Sequence, residues 1–316
     1  MTGPETFKGF ARRYSPTALR NRLNQIAREI DVAKHLAARS LIEQTRQRGI
    51  LDNLQDAEFK VHSQWGDDGI IQYLIHNIAI SEESRSFVEF GVEDYVEAET
   101  RFLLVNDDWR GLVMDADADN VASIRRDAIS WRHELTAVQA LVDAENVDRL
   151  LSDHGFAGEI GLLHIDIDGN DYWVWKALRA ASPIVVVVEY NSVFGGRRAV
   201  TVPYDPAFNR TRAHYSNLYF GASLKSLCLL AAEKGYRFLG CSSSGNNAFF
   251  VRGDKVGRLR VTTAEEGYVR SRARESRDRA GNLTYLSGKD RLRLIGDLSV
   301  LDVESGRLVK LAELQE

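Results

Sequence analysis

Residues 162–171 read LLHIDIDGND, and residues 183–191 read PIVVVVEYN. Each is an apolar run that ends in acids or amides: Asp166, Asp168 and Asp171 close the first, Glu189 and Asn191 the second. Continuous apolar runs of this kind are strands of a parallel sheet that is covered by helices on both faces. Adjacent parallel strands deliver their last side chains to one crevice, at the carboxyl edge of the sheet, where ligands of open α/β sheets bind. Carboxylates gathered there repel one another unless a cation, a proton or a substrate neutralises them. The chemistry is expected at that edge.

The pattern extends outward in both directions. GDDGIIQYLIHNIAI (66–80) reads as a helix, SFVEFG (86–91) as a strand, AETRFLLVND (98–107) as a helix and WRGLVMDAD (109–117) as a strand. NVASIRRDA (120–128), AENVDRLLSDHG (144–155) and DYWVWKALRAA (171–181) read as helices around the strand LTAVQALV (135–142) and the run that contains Asp166. Strands alternating with helices predict an α/β fold with a doubly wound, mostly parallel sheet. GASLKSLCLLAAEKG (221–235) is a last helix. YRFLGCS and NNAFFVRG, joined through Ser243-Ser244-Gly245-Asn246, read as a terminal antiparallel hairpin.

Before this block, Ser15-Pro16 has the form of an N-cap and first helical residue. Leu19, Leu23, Ile26, Ile30, Ala33 and Ala37 then recur at steps of four and three up to Gly49. That predicts a helix of roughly 30 residues with a narrow apolar seam. It is either a helix lying on its own domain or an arm through which the chain forms a homo-oligomer. The expected division is 1–58 as a helical arm, 59–254 as the sheet domain and 255–316 as a C-terminal extension. The extension contains VRSRARESRDRAGN (269–282), expected as a solvated helix or as a binding run for an anionic substrate.

Composition excludes several classes. In 316 residues, 44% are hydrophobic and 27% charged, and no stretch approaches the 18 apolar residues of a membrane span. A net charge of −4 argues against nucleic acid as a partner, although residues 1–50 carry ten Lys or Arg against four acids. MTGPETFKGFARRY lacks a signal-peptide core, and Cys228 and Cys241 have neither metal nor redox spacing. A cytoplasmic location is expected.

The first strand ends FVEFGVED (87–94), with Glu89 and Gly91; a nucleoside-binding α/β fold needs a Gly where this first turn approaches its ligand. No full GxGxxG is present, and one Gly beside an acid suits a cationic nucleoside better than a diphosphate. The second strand ends VMDAD, and Asp115 is suited to hydrogen-bond two ribose hydroxyls, unless it only caps the next helix.

The order of elements, these acidic strand ends and the closing hairpin resemble a class I S-adenosylmethionine-dependent methyltransferase with a Rossmann-like sheet. SQWGDDGII (63–71), FVEFGVED and HIDIDGNDYWVW (164–175) are similar to the FkbM-like methyltransferases over roughly residues 60–253, although the usual GxG is reduced to Gly91-Val92-Glu93. The resemblance implies S-adenosylmethionine as cofactor, with Gln64 and Asp68 over it, Glu89 and Gly91 at its amino-acid end, Asp115 on its ribose and Asp143 near its adenine. The paired acids also resemble those of metal-dependent O-methyltransferases of sugars and natural products. That likeness implies Asp166, Glu189 and Asn191 as ligands of Mg²⁺, a hard cation that takes oxygen donors. Asp168 is then the candidate base, with His214, in NRTRAHYSNLYFG (209–221), a second. The acceptor expected is a hydroxyl of a small molecule or glycan.

Two other readings stand beside this one. Asp166-Ile167-Asp168 is also the Asp-x-Asp of a metal-dependent glycosyltransferase, although such folds open with a strand, whereas here some 85 residues precede the first. The reduced glycine turn and the arm would also suit a non-catalytic binding or assembly module.

Overall fold

The computed structural model describes residues 16–314. Residues 1–14 and the cap read at Ser15 lie outside them. Helix α1 (Pro16–Arg48) and α2 (Asp67–Asn77) precede β1 (Ser86–Phe90). Helices and strands then alternate: α3 (Arg101–Asp107), β2 (Arg110–Asp115), α4 (Ala118–Arg126), β3 (Leu135–Gln139), α5 (Val147–Asp153), β4 (Gly158–Ile165), α6 (Asp171–Ala177) and β5 (Ala181–Glu189). The two-residue β6 (Val200–Thr201), α7 (Leu224–Glu233), β7 (Tyr236–Cys241) and β8 (Asn247–Arg252) follow, then β9 (Ser299–Asp302) and β10 (Arg307–Lys310).

The main sheet has the order β3-β2-β1-β4-β5-β8-β7. Strands β1 to β5 are parallel, and β8 runs antiparallel to both of its neighbours, so the predicted hairpin closes the sheet. The order turns at β1 and β4, whose carboxyl ends therefore face an open crevice. Strand alternation buries both faces. Val88, Phe90, Met114, Leu163 and Val186 pack with Leu150, Trp175 and Leu227 of α5, α6 and α7. Phe87, Val113, Leu162 and Val185 pack with Ile70, Leu103 and Ile124 of α2, α3 and α4. Each such side chain contributes about 1.5–3 kcal/mol when fully buried. The four valines 185–188 are fully buried, which is why this strand has no polar alternation to read.

The C-terminal extension is ordered differently from its expected form. The segment 269–276 has no regular secondary structure, so the arginine run is an extended strap rather than a helix. Beyond it, β9 pairs antiparallel with β10 and β6, giving a small three-stranded sheet over Phe194, Val202, Leu218, Ile295 and Val300. At the other end, α1 packs on the sheet domain only through its last turns, where Ala38 and Ile42 meet Val61 and Phe102. Leu19, Leu23, Ile26 and Ile30 are each 45–57% exposed. Among the described residues no helix is long and apolar enough to cross a membrane.

Candidate functional site

The carboxyl ends of β1, β2, β3, β4 and β5 border a cavity of about 580 Å³. Its floor begins at Gly91, which has φ +76 and whose amide donates to the Met114 carbonyl at 2.9 Å. A Cβ there would lie 1.7 Å from the Asp166 carbonyl oxygen, so only glycine lets the β1 turn pass against the end of β4. Two residues on, Glu93 also has positive φ, at +48. A left-handed non-glycine residue costs about 1–2 kcal/mol. Here its amide donates to Asp115 Oδ2 at 2.8 Å, which offsets that cost and ties the ends of β1 and β2 together. Asp115 does not cap α4; Asp117 does, by accepting from the Asp119 amide.

Below the turn, Glu89 and His164 form a buried pair with Nδ1 3.0 Å from Oε1. Burial alone would raise the Glu89 pKa, but the histidine, Thr100 and the Glu99 amide outweigh it and hold the carboxyl below its ordinary value. Burial would likewise lower His164, and the bond from Glu89 overrides it, so its pKa is raised. The pair fixes the start of the 99–107 segment, since Glu89 accepts from the amides of both Glu99 and Thr100.

The second half of the site is an acid cluster. Asp166, Asp168 and Glu189 each offer an oxygen, all within 4.8 Å of one another. Asp168 reaches this position because its backbone is left-handed, φ +56, in a turn clamped by Asp171, which accepts from the amides of Ile167 and Gly169. Asp171 is thereby a fully buried structural residue, and the helix cap falls on Asn170. Burial and the neighbouring Asp168 push Asp166 up to about 6. Burial, Asp166 and Asp168 hold Glu189 well above the ordinary carboxyl range, and its buried Oε2 has no hydrogen-bond partner. Arg210 opens the single helical turn Arg210–Ala213, with Nη1 2.7 Å from Asp168 Oδ1 and its guanidinium carbon 3.8 Å from the centre of the Phe220 ring.

Several expected residues lie elsewhere. Gln64, Glu89, Gly91, Asp115, Asp166, Asp168 and Glu189 line the cavity; Asp68, Asp143, Asn191 and His214 do not. Asp68 is buried and accepts from the amides of Val61, His62 and Ser63, which fixes the chain before α2. Asp143 accepts from the amides of Glu145 and Asn146 at the start of α5, and the apolar Leu141 and Val142 form the wall instead. Asn191 spends its side chain on the Leu218 and Phe220 carbonyls and the Val193 amide, which leaves Asp168 as the third member of the acid cluster. His214 bonds Ser216, and burial together with Arg279 lowers its pKa. Trp173 donates to the Val202 carbonyl and Trp175 is fully buried, both as packing residues. Pro206, which ends VPYDP (202–206), forms part of the cavity wall.

The sequence reading missed Arg210, Glu275 and the acids Glu93, Glu97 and Glu99, all of which line the cavity. With Glu89, Asp115, Asp166, Asp168 and Glu189 they make nine carboxylates facing one arginine and His164. Such a lining favours a ligand with positive charge. The acid cluster also fits a hard divalent cation on its own chemistry: three converging carboxylates, one with an orphaned buried oxygen.

A parallel 3-2-1-4-5 sheet with an antiparallel strand inserted next to β5, and a crevice over β1 and β4, is a specific topology. It is a Rossmann-like, doubly wound α/β sheet closed by an antiparallel hairpin. The Asp-x-Asp of Asp166 and Asp168 sits just past the carboxyl end of β4, in the middle of this parallel sheet. No protein-family model matches the sequence, and no curated protein matches it. Among solved structures, the chain is similar to an S-adenosylmethionine-dependent methyltransferase from Clostridium acetobutylicum, with 8% identity and a TM-score of 0.37 over 59% of this chain and 90% of that one. It is also similar to the O-methyltransferase from Bacillus cereus in complex with SAH, with 15% identity and a TM-score of 0.35 over 67% and 89% of the two chains. The N-terminal domain of EvdMO1, in the presence of SAH and D-fucose, is matched at 10% identity and a TM-score of 0.36 over 67% and 94%.

Proposed function

We propose that the chain is an S-adenosylmethionine-dependent methyltransferase that acts on a hydroxyl of a small-molecule or glycan acceptor. The observation that carries this is the acidic cavity over the β1–β4 crevice, with a single-glycine turn on one side and a carboxylate cluster on the other. A sulfonium nucleoside is a cation, and this acid-rich lining favours it over a diphosphate, even though burial holds Glu99 and Glu189 toward their neutral forms. S-Adenosylmethionine, when bound, supplies an electrophilic methyl, which leaves alignment and deprotonation of the acceptor to the protein.

In this reading Asp115 takes the ribose with the oxygen capacity left after its backbone bonds, and Leu141 and Val142 cover the adenine. Gln64, Glu89 and Gly91 bound the amino-acid end. Asp168, exposed and held by Arg210, is the base that accepts the hydroxyl proton. Asp166 and Glu189 hold Mg²⁺ where the reaction requires it. When bound, Mg²⁺ supplies positive charge that lowers the pKa of an acceptor hydroxyl. Residues 59–254 are the catalytic domain, with 1–58 as an arm and 255–316 as an extension that completes the acceptor side. The exposed Leu19-Leu23-Ile26-Ile30 seam has the spacing of a coiled coil, and we assign it to pairing with a second copy of α1.

The test is incubation with methyl-labelled S-adenosylmethionine, Mg²⁺ and a panel of monosaccharides, polysaccharides and catechols, with S-adenosylhomocysteine as the readout. Acceptor-dependent formation of that product is expected. Its absence from every reaction, together with no binding of the cofactor, would overturn the assignment.

A further inference from the structure

A second cavity of about 200 Å³ opens beside the first and shares with it Glu189, Arg210 and Glu275. Ligand sites for drug-sized molecules run to about 300–1,000 Å³, so this side pocket has room for one ring. One wall is Trp65, partly exposed and tied through Nε1 to Gln64 Oε1. Another is Arg291, from the short helix Lys289–Leu294 of the C-terminal extension.

Arg291 is held in an unusual way. Its guanidinium donates to the Ala273 and Glu275 carbonyls, both at 3.3 Å, and its buried Nε has no partner. Among the described residues no carboxylate forms an ion pair with it; the nearby Glu275 is engaged by Arg210, Arg277 and Asn217. A guanidinium has five N–H donors in a planar fork that matches a carboxylate or phosphate. A half-buried one with spare donors and no ion-pair partner, on which Glu275 acts only at a distance, is better satisfied when a ligand anion completes it. Burial and the neighbouring cations Arg210 and Arg274 also lower its pKa.

We propose that this side pocket is the acceptor subsite and that it selects an acidic sugar unit, a uronate or a sugar phosphate, whose anion binds Arg291. The ring lies on Trp65, and Glu189, shared by the two cavities, marks where its hydroxyl meets the acid cluster. The claim rests on the methyl-transfer reading for what the subsite is for, but the anion preference stands on Arg291 and the pocket themselves.

Calorimetric or saturation-transfer titrations with D-glucuronate, D-glucose 6-phosphate and D-glucose test it, each run with and without saturating S-adenosylhomocysteine. At least one anion is expected to bind tenfold or more tightly than glucose, and the two anions separate carboxylate from phosphate selection. Arg291→Gln should bring that anion to the level of glucose, and Arg291→Lys, which keeps the charge, should retain part of the preference. Arg272→Gln, on the exposed strap, should change nothing. Equal binding of glucose, no saturable binding of either anion, or an unchanged preference in a folded Arg291→Gln protein would overturn the proposal. Failure of S-adenosylhomocysteine to bind, with the anion preference and the Arg291 effect intact, would instead count against the methyl-transfer reading.

Discussion

Arg210 and Asp168 are joined across 42 residues of sequence by a 2.7 Å charge-assisted hydrogen bond at the mouth of the acid cluster. The bond fixes the one exposed carboxylate of the three, while Asp166 and Glu189 sit deeper and hold their protons more tightly than ordinary acids. Arg210 is itself seated on the Phe220 ring. The cluster therefore has a built-in cation on one side and an orphaned oxygen, Glu189 Oε2, on the other.

That asymmetry separates the roles of the carboxylates. EDTA should abolish methyl transfer and Mg²⁺ restore it, and Asp166→Asn should raise the Mg²⁺ concentration required. Asp168→Asn should lower turnover about 10²–10⁴-fold at saturating Mg²⁺, as loss of a general base does. Paramagnetic broadening by Mn²⁺ gives a readout independent of turnover, and it should weaken in Asp166→Asn. Full activity in EDTA would remove the metal from the mechanism.

Gly91→Ala should destabilise the protein more than Gly155→Ala. Both glycines have positive φ, +76 and +75, so both substitutions meet backbone strain of about 1–2 kcal/mol. Only at Gly91 does the new Cβ also run into the Asp166 carbonyl, whereas nothing lies within 4 Å at Gly155. Thermal unfolding of the two variants measures the difference. Equal midpoints would mean that the β1 turn can move away from β4.

The strands were legible because buried parallel strands are written as uninterrupted apolar runs, and the acids at their ends were legible as a cluster. What each end residue does was not. Asn191 and Asp168 both read as oxygen donors, and the choice between them depends on the Leu218 and Phe220 carbonyls, 27 and 29 residues downstream of Asn191. The family resemblance points to Asp143 and Asp68 as site residues, whereas in the fold local amides occupy them as turn and cap residues. Arg210 and Arg291 reach the site from the single helical turn Arg210–Ala213 and from the C-terminal extension, with no motif to announce them. A two-residue strand such as β6 leaves no periodicity, so the small β6-β9-β10 sheet was equally invisible.

Asp67 is one of several buried acids that contribute to the pH dependence of stability. It is fully buried, and burial, reinforced by Glu58 and opposed by a 2.7 Å bond from Asn247, pushes its pKa from 3.8 up to about 7. A folded-state value above the unfolded one means that folding favours the neutral acid. The contribution is therefore present below pH 3.8 and lost progressively as the pH rises to about 7. Asp67→Asn, neutral at every pH, should raise the thermal midpoint at pH 8, and the gain should shrink toward pH 4. A gain independent of pH would assign it to packing instead.

Removal of residues 1–50 should leave the sheet domain folded, since α1 touches it only with its second half: Ala38 and Ile42 pack on Val61 and Phe102, and Lys34, Arg39 and Arg48 hydrogen-bond Val61, Asn106 and Asp56. It should also reduce the oligomeric state measured by light scattering. The same mass per particle relative to the chain, before and after truncation, would refute pairing through the Leu19-Leu23-Ile26-Ile30 seam.

Titration calorimetry with S-adenosylmethionine and S-adenosylhomocysteine decides whether the acidic cavity is a cofactor site. Both should bind once per chain without added metal, because the Asp115 side of the cavity lies apart from the Asp166 cluster. Asp115→Ala should weaken that binding by about 1–3 kcal/mol, the cost of leaving a buried hydrogen-bonding group unmatched. No saturable heat from either ligand, with or without Mg²⁺, or an affinity unchanged by Asp115→Ala, would contradict it.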